Sequence, residues 1–353
     1  MELIRTGNLY RITKNYFTDV VLPATNVLAS RHESSVRTYR IHTHTFRIEF
    51  FSPVLEQRFS KALSGLEVPA QDKVDLTVVA WDKATSAVVS PLVLNAYHLL
   101  PEVDAKGTIC EDFVGVYIHG EESVTLYDID AQKAYYYVSD AKDLPHWVDA
   151  APLRTLLHWF LTARNMQLMH GAVVGHAGRG VLLTAPGGSG KSTTAFNCLR
   201  QGMEYLGDDY VAITEKVPIT AHGLYASAKL TQDAMSHLPV LEHYAVVEAG
   251  VEKAVIHVPD VLLGHLVREA QLLAIFVPKI HSGETTYLIP AGKSDVLRAI
   301  VPTTLFQLPF ARKEILSVMR TLVEELPCYF LMLGKNRDEA PETIMSFIKG
   351  AIE

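Results

Sequence analysis

The chain contains 353 residues, 48% of them hydrophobic and 20% charged, which is typical of a globular protein large enough for two domains. Its formal net charge of −7 provides no broadly basic surface for a nucleic acid backbone, so no nucleic acid partner is expected. The sequence has no run of about 18 apolar residues, so no membrane span is expected.

The amino-terminal residues and the cysteines indicate a compartment. The first residues are charged and lack the continuous apolar segment of a secretory signal. The three cysteines, Cys110, Cys198 and Cys328, are widely spaced and match neither a disulfide framework nor a zinc-binding pattern. We therefore expect a protein of the reducing cytoplasm.

Residues 1–145 are predicted to form the smaller, β-rich amino-terminal domain. Segments of alternating β-branched and aromatic residues, such as KVDLTVVAW, FVGVYIHG, SVTLYDI and KAYYYV, are typical of strands. One helix is predicted to begin after Ser52, a suitable N-cap in front of Pro53. This domain is a candidate for recognising a substrate or partner.

Residues 146–353 are predicted to form a second domain. Its first helix carries apolar residues at helical spacing, namely Leu153, Leu156, Leu157, Phe160 and Leu161. Apolar strands then alternate with segments such as ARKEILSVMRTLVEEL and APETIMSFIKGAI, which have the pattern of amphipathic helices. This alternation predicts an α/β or α+β fold around a mixed central sheet.

A segment of small residues lies between an apolar strand and a predicted helix. Residues 185–192 read APGGSGKS and match the phosphate-binding template G-x-x-x-x-G-K-[S/T], except that Ala185 replaces the first glycine. Backbone N–H groups of such a loop, and the positive end of the next helix, bind phosphate oxygens. Lys191 is expected to reach the β- and γ-phosphates, and the Ser192 hydroxyl to bind Mg²⁺. The predicted nucleotide-binding residues are Pro186, Gly187, Gly188, Ser189, Gly190, Lys191, Ser192 and Thr193. The alternative is a glycine-rich turn that binds no ligand.

Two adjacent carboxylates and a histidine flank this loop in sequence. Asp208 and Asp209 open an apolar strand shortly after the predicted helix. One carboxylate could bind Mg²⁺, and the other could accept a proton from an attacking hydroxyl. The alternative is an Asx-type turn that only starts the strand. His170 precedes the strand that leads into the loop, where a histidine is at least as often structural as catalytic.

The order and spacing of five residues resemble the core of the HPr kinase/phosphorylase family. These residues are His170, Lys191, Ser192, Asp208 and Asp209. The match runs without gaps over residues 170–213 and is looser over about residues 152–333. It implies a carboxy-terminal P-loop kinase domain of the HPr kinase type, related in fold to phosphoenolpyruvate carboxykinase.

The resemblance also implies a role for each matching residue. Asp209 would accept the proton of the substrate hydroxyl, and Asp208 would lie beside the metal. Lys191 and the loop amides would hold the γ-phosphate. Ser192 would bind Mg²⁺, and His170 would assist in the site.

The chain departs from the family downstream of these residues. A second Mg²⁺-binding glutamate, carried in the family by E-[IV]-R-G-x-G, has no counterpart in AHGLYASAKLTQDAM. Lys229 or Asp233 could take over part of its role, although an exposed lysine at a strand end is the alternative interpretation of Lys229. The arginine-rich loop of the phosphorylase reaction is not recognisable either. HPr-kinase-like proteins that act on other hydroxyl groups are the better comparison, and HPr itself is not the expected acceptor.

We therefore expect an ATP- and Mg²⁺-dependent kinase that transfers the γ-phosphate to a hydroxyl group, first of all a serine of a peptide or protein. A kinase of a small-molecule alcohol is one alternative. A nucleotide-responsive binding or assembly protein with little catalysis is the other. The family resemblance implies a homo-oligomer.

Two weaker patterns add candidates. His42 and His44 alternate within one predicted strand and could form a metal-binding pair, although no third ligand is evident and solvent-facing alternation is the alternative. His265, Arg268 and Lys279 flank a buried strand, and one of them could supply a cation to the phosphate. A solvated face is the alternative for these three residues.

Overall fold

The structure is a computed structural model that describes most of the chain. The described residues are 17–88, 98–100, 105–109, 112–236, 245–246, 253–261 and 264–352. Cys110 and the side chain of Asp233 lie outside them.

Nine strands form the first sheet, and all of them precede residue 146. They are β1 (Ser35–Ile41), β2 (His44–Phe50), β3 (Glu67–Val68), β4 (Leu76–Asp82), β5 (His98–Leu100), β6 (Ala105–Ile109), β7 (Phe113–Ile118), β8 (Ser123–Asp128) and β9 (Lys133–Val138). Their order is β3-β1-β2-β4-β9-β8-β7-β6-β5. The β2–β4 and β4–β9 pairs are parallel, and the other pairs are antiparallel.

Short helices accompany this sheet. They are a π-helical turn (Phe17–Val21), α1 (Leu22–Arg31), α2 (Pro53–Leu63), a 3₁₀ turn (Ser64–Leu66) and α3 (Lys83–Ser86). Helix α2 begins as the sequence predicts, because the Ser52 side chain accepts a hydrogen bond from the Leu55 N–H at 3.3 Å. Its buried residues, among them Leu55 and Phe59, pack on β1, β2 and β4.

The remaining strands follow residue 165. They are β10 (Met166–His170), β11 (Ala172–His176), β12 (Arg179–Leu183), β13 (Glu204–Gly207), β14 (Tyr210–Thr214), β15 (Thr220–Gly223), β16 (Ser227–Thr231), β17 (Ala245–Val246), β18 (Lys253–His257), β19 (Glu269–Ile280), β20 (Tyr287–Pro290) and β21 (Cys328–Leu333). The second large sheet has the order β10-β14-β15-β19-β12-β11-β13, and β21 pairs with both β19 and β20. A small third sheet has the order β16-β18-β17.

Helices of this half pack on the second and third sheets. They are α4 (Trp147–Ala150), α5 (Arg154–Thr162), α6 (Lys191–Arg200), α7 (Gln232–Ser236), α8 (Val258–Val261), α9 (Lys293–Leu305), α10 (Arg312–Glu325) and α11 (Glu339–Ile352). The β12–β19 and β19–β21 pairs are parallel, whereas β10–β14 and β11–β12 are antiparallel. The chain is therefore a mixed α/β protein, and both of its large sheets are mixed.

One hydrophobic core runs through both large sheets. It joins Tyr39 and Phe46 of the first sheet to Leu168 and Ile275 of the second. A second core surrounds α6 and lies between the second sheet and α11. Because the first core crosses residue 146, the division into residues 1–145 and 146–353 stays a prediction about sequence organisation.

Helix α9 contains a proline. Gly292 is its N-cap, and the helix continues past Pro302. A proline inside a helix removes one backbone hydrogen bond, and this residue breaks the sequence pattern by which a helix is recognised. The helix is nevertheless held by buried Val296 and Ile300.

Within the described residues, no helix combines the length and the apolar character that crossing a bilayer requires.

Candidate active site

The segment predicted to bind phosphate, called the phosphate loop below, links β12 to α6 with a backbone that needs glycine. Gly188 and Gly190 have φ values of +80° and +88°, which side chains rarely adopt. A Cβ on Gly190 would also lie 2.8 Å from Leu333 Cδ1. Ala185 is buried, and it is not among the described residues with positive φ, so a methyl group is tolerated there. Helix α6 begins at Lys191, which directs its free N–H groups toward the loop.

The Lys191 ammonium forms a buried ion pair. Its Nζ lies 2.6 Å from Asp208 Oδ1, and the two side chains are 7% and 1% exposed. Burial alone would lower the pKa of Lys191, but the carboxylates of Asp208 and Asp209 outweigh burial and raise it. Asp208 Oδ2 is buried and has no hydrogen-bond partner in the described part of the chain. One oxygen of this carboxylate is thus free for a further ligand.

Asp209 lies between β13 and β14 in a strained conformation. Its φ is +67°, a left-handed value that costs about 1–2 kcal/mol for a residue with a Cβ. Its Oδ2 lies 2.6 Å from Lys229 Nζ, and its Oδ1 lies 3.7 Å from His170 Nε2. Burial alone would raise the pKa of Asp209, but Lys229, His170 and Lys191 hold it well below the usual range. The carboxylate is therefore ionised at neutral pH.

The position of His170 follows from strand pairing. It is the last residue of β10 and pairs with Tyr210, the residue after Asp209. Its N–H donates to Thr304 Oγ1 at 3.0 Å, and its carbonyl accepts from Thr184 Oγ1 at 3.2 Å. Burial lowers the pKa of His170, and the Asp209 carboxylate offsets only part of that effect. A neutral imidazole therefore faces Asp209 at neutral pH.

Two adjoining cavities meet at these residues. The first has a volume of about 490 Å³ and is lined by the phosphate loop. The second has a volume of about 360 Å³ and is lined by Arg154, Tyr210 and Gln307, among others. The residues that line both are His170, Gly187, Asp209, Lys229 and Lys253. Each volume lies in the range of ligand pockets in proteins, so the shared wall is a place where two ligands could meet.

Most of the residues singled out in the sequence lie around the first cavity. The whole segment Pro186–Thr193 lines it, together with His170 and Asp209. Asp208 does not line this cavity. It is 2% exposed, and its ion pair with Lys191 connects it to the residues that do.

The interpretation of Lys229 as an exposed strand-end lysine is wrong. Its side chain is 17% exposed and pairs with Asp209, because the middle of β16 faces the site and not solvent. The sequence signal was a single lysine among the small and apolar residues of SAKLT. Lys253 is paired in register with Thr231 at the end of β16, and it lines the same two cavities.

Other polar and basic residues of the site were missed because they lie far away in sequence. Lys335, Asn336 and Arg337 follow β21 and line the first cavity. They reach it because β21 runs parallel to β19 and ends beside the phosphate loop. No local pattern marks such residues, since their placement depends on strand order.

His265, Arg268 and Lys279, one of which could have supplied a cation to the phosphate, do not line either cavity. Arg268 donates to the carbonyls of Gly65 and Glu67, and Lys279 lies 3.4 Å from the centre of the Phe330 ring. Arg268 thus contacts the 3₁₀ turn and the start of β3, and it does not contact the phosphate loop in these hydrogen bonds.

No protein family model matches the sequence, and no curated protein matches it. Among solved structures, the chain is similar to the HPr(Ser) kinase/phosphatase from Coxiella burnetii, with 10% sequence identity and a TM-score of 0.29. That match covers 53% of this chain and 99% of the other. A score this low does not establish a common fold, and membership of the family stays a prediction from the sequence.

Proposed function

We propose that the protein is an ATP- and Mg²⁺-dependent phosphotransferase that moves the γ-phosphate to a hydroxyl group, with a serine of a peptide or protein as the first candidate acceptor. The observation that carries the proposal is the position of Asp209. This ionised carboxylate lies on the wall shared by the phosphate-loop cavity and the second cavity. A general base for phosphoryl transfer has to lie between nucleotide and acceptor.

The phosphate loop would bind the phosphates of the nucleotide. Residues 186–193 line the larger cavity, and the start of α6 favours an anion at that end. Lys229, Lys253, Lys335 and Arg337 border the same space. A polyphosphate chain carries several negative charges, which complement the positive charges of these four residues. Its binding would give Lys191 a second anionic partner besides Asp208.

The residues present fit a hard divalent cation. Asp208 has a buried, unpartnered carboxylate oxygen, and Ser192 lies in the first turn of α6 beside the loop. Oxygen ligands of this kind suit Mg²⁺, and Asp208 and Ser192 would hold it. When bound, Mg²⁺ neutralises charge on the phosphate oxygens.

Asp209 and its neighbours would prepare the acceptor. The carboxylate is held ionised, so it can accept a hydrogen bond from the acceptor hydroxyl and orient its oxygen toward the first cavity. The hydroxyl proton passes to Asp209 as the acceptor oxygen bonds to the γ-phosphorus, while the bond from that phosphorus to the β–γ bridging oxygen breaks and ADP leaves. Lys229, 2.6 Å from Oδ2, and His170, 3.7 Å from Oδ1, flank the carboxylate and hold it in place.

Transfer of labelled phosphate tests the proposal. The protein is incubated with γ-labelled ATP and Mg²⁺, with seryl peptides and with small polyols as separate acceptor sets. Asp209→Asn should lower transfer about 10²- to 10⁴-fold while ATP binding persists. Asp295→Asn, which changes an exposed carboxylate on α9, is the matched control and should leave transfer unchanged. Equal transfer by Asp209→Asn and wild type would overturn the assignment.

The same assay separates the alternative functions. Labelled peptide products support a protein acceptor, and labelled polyols support a small alcohol. Tight ATP binding without transfer or hydrolysis across both sets would instead support a nucleotide-responsive binding protein.

A further inference from the structure

Three potential metal ligands meet on the side of the molecule where the two large sheets touch. His42 lies in the turn between β1 and β2, with a φ of +53°. His222 lies in β15 and is paired in register with Glu269, the first residue of β19. None of the three lines either cavity of the candidate active site. One ligand atom from each of these residues lies within 4.8 Å of the others.

The distances match those around a bound ion. His222 Nδ1 lies 3.4 Å from Glu269 Oε2, and His42 Nδ1 lies 3.6 Å from the same oxygen. Ligand atoms about 2.0–2.1 Å from a tetrahedral zinc ion are separated by about 3.3–3.4 Å. Both contacts are longer than an ordinary hydrogen bond to nitrogen, about 2.9 Å. Two of the three separations thus match those around a shared ion, and the third, between the two histidines, is within 4.8 Å.

The neighbours of His222 determine which of its nitrogens bears a proton. The Thr214 hydroxyl donates to the Thr220 carbonyl at 3.2 Å, so at the 3.4 Å contact with His222 Nε2 the hydroxyl oxygen accepts. This contact favours the tautomer in which Nε2 carries the hydrogen and Nδ1 presents a lone pair. His222 is 2% exposed, and its Nδ1 has no hydrogen-bond partner within the described residues.

A cation bound between the buried Nδ1 and the Glu269 carboxylate would give both groups a partner. We propose that His42, His222 and Glu269 bind one divalent transition-metal ion of the zinc type. Two imidazoles and one carboxylate favour such a metal over Mg²⁺ or Ca²⁺, which prefer oxygen ligands. Thr214 would orient His222 from behind, as outer groups do for metal-binding histidines.

An ion bound at this site would link the first large sheet to the second. The β1–β2 turn belongs to the first sheet, and β15 and β19 belong to the second. The His42 and His222 rings already lie with centres 4.7 Å apart. His42 and Glu269 are 42% and 60% exposed, so a water molecule could complete the coordination from the solvent side.

This arrangement replaces the pair expected from the sequence. His42 and His44 were expected on one strand face, but the turn after Ile41 separates them. His44 Nδ1 lies 4.0 Å from Asp75 and takes no part in the cluster. The other two ligands, His222 and Glu269, were not evident because they lie 180 and 227 residues after His42 in sequence.

Cobalt and zinc titrations test the proposal. The full-length protein, stripped with a chelator and transferred to metal-free buffer, is titrated with CoCl₂ and then with ZnCl₂. One equivalent of Co²⁺ should give the visible absorption of a four-coordinate site, and Zn²⁺ should displace it and raise the unfolding temperature. His42→Ala and Glu269→Gln, both changes of exposed side chains, should weaken binding at least 10-fold.

His44→Ala is the matched control and should bind metal as the wild type does. Absence of stoichiometric binding in the wild type would overturn the proposal. Undiminished binding by His42→Ala and Glu269→Gln would also overturn it, because the metal would then lie elsewhere, for example at Asp208.

Discussion

Lys229 Nζ lies 2.6 Å from Asp209 Oδ2, and the two side chains are 17% and 14% exposed. The contact joins β16 of the small sheet to the start of β14 in the second large sheet. It is one of the contacts that hold the Asp209 carboxylate ionised, and it places a cation at the junction of the two cavities. Lys229 is not part of the sequence pattern formed by His170, Lys191, Ser192, Asp208 and Asp209. It nevertheless helps to keep the proposed base ionised.

Lys229→Met should shift the pH dependence of transfer. Without the cation, burial favours the protonated form of Asp209, so its pKa rises. The acid limb of the profile of kcat/KM against pH should move upward by about one pH unit or more, because loss of an opposite charge at this distance has that effect. Lys253→Met removes a cation that borders the same cavities and should leave the acid limb in place. Coincident acid limbs for Lys229→Met and wild type would contradict the role given to Lys229.

In the absence of nucleotide, the buried ion pair of Lys191 and Asp208 should contribute strongly to the free energy of unfolding. Lys191→Met leaves an uncompensated carboxylate in a buried position, and such a change costs about 3–5 kcal/mol of unfolding free energy. Asp208→Asn together with Lys191→Met should recover part of that loss, since no isolated charge remains. Urea denaturation without nucleotide measures both effects.

An exposed pair provides the comparison. Lys335 and Glu284 are separated by the same 2.6 Å but are 63% and 73% exposed, so Lys335→Met should change the unfolding free energy by less than about 1 kcal/mol. Equal losses in Lys191→Met and Lys335→Met would show that burial of the first pair has no energetic consequence.

Much of the site was predictable because it is local in sequence. The loop at residues 186–190, the helix that begins at Lys191 and the carboxylates at Asp208 and Asp209 lie within one strand–loop–helix–strand unit. Small residues, a lysine and a hydroxyl at fixed spacing have a physical reason to occur together in such a unit. Ser52 before Pro53 is a further example, because helix capping depends on neighbours alone.

The remainder depends on contacts between distant segments. Lys229 reaches Asp209 because β16 lies beside the site, and Arg337 reaches the loop because β21 pairs with β19. His222 and Glu269 lie opposite each other through the register of β15 and β19, and the turn at His42 meets them from another sheet. Spacing along the chain carries no information about such pairings, since they follow from how the sheets assemble.

Gly190→Ala should destabilise the phosphate loop. The φ of +88° is unfavourable for alanine, and the new Cβ would lie 2.8 Å from Leu333 Cδ1. The backbone effect alone costs about 1–2 kcal/mol, so the unfolding free energy should fall by at least that amount, and ATP affinity should fall as well. Gly187→Ala is the matched control, because no atom lies within 4 Å of its new Cβ and its φ is not positive. Equal stability of the two variants in urea would show that the loop relaxes around Gly190 without cost.

His158 should make the fold sensitive to mild acid. It is fully buried in α5, and burial lowers its pKa to about 4, whereas an unfolded histidine has a pKa of about 6.5. Between about pH 6.5 and pH 4 the unfolded chain therefore binds a proton that the folded chain excludes. The free energy of unfolding should fall by about 1.4 kcal/mol per pH unit from this residue as the pH drops through that window, with no contribution above it.

His158→Gln should reduce the slope of unfolding free energy against pH between pH 6 and pH 5 by about that amount, whatever its effect on stability at pH 8. His176→Gln, a change at the half-buried end of β11, should keep the wild-type slope. Parallel slopes for His158→Gln and wild type in urea titrations would mean that the buried imidazole accepts its proton in the folded state.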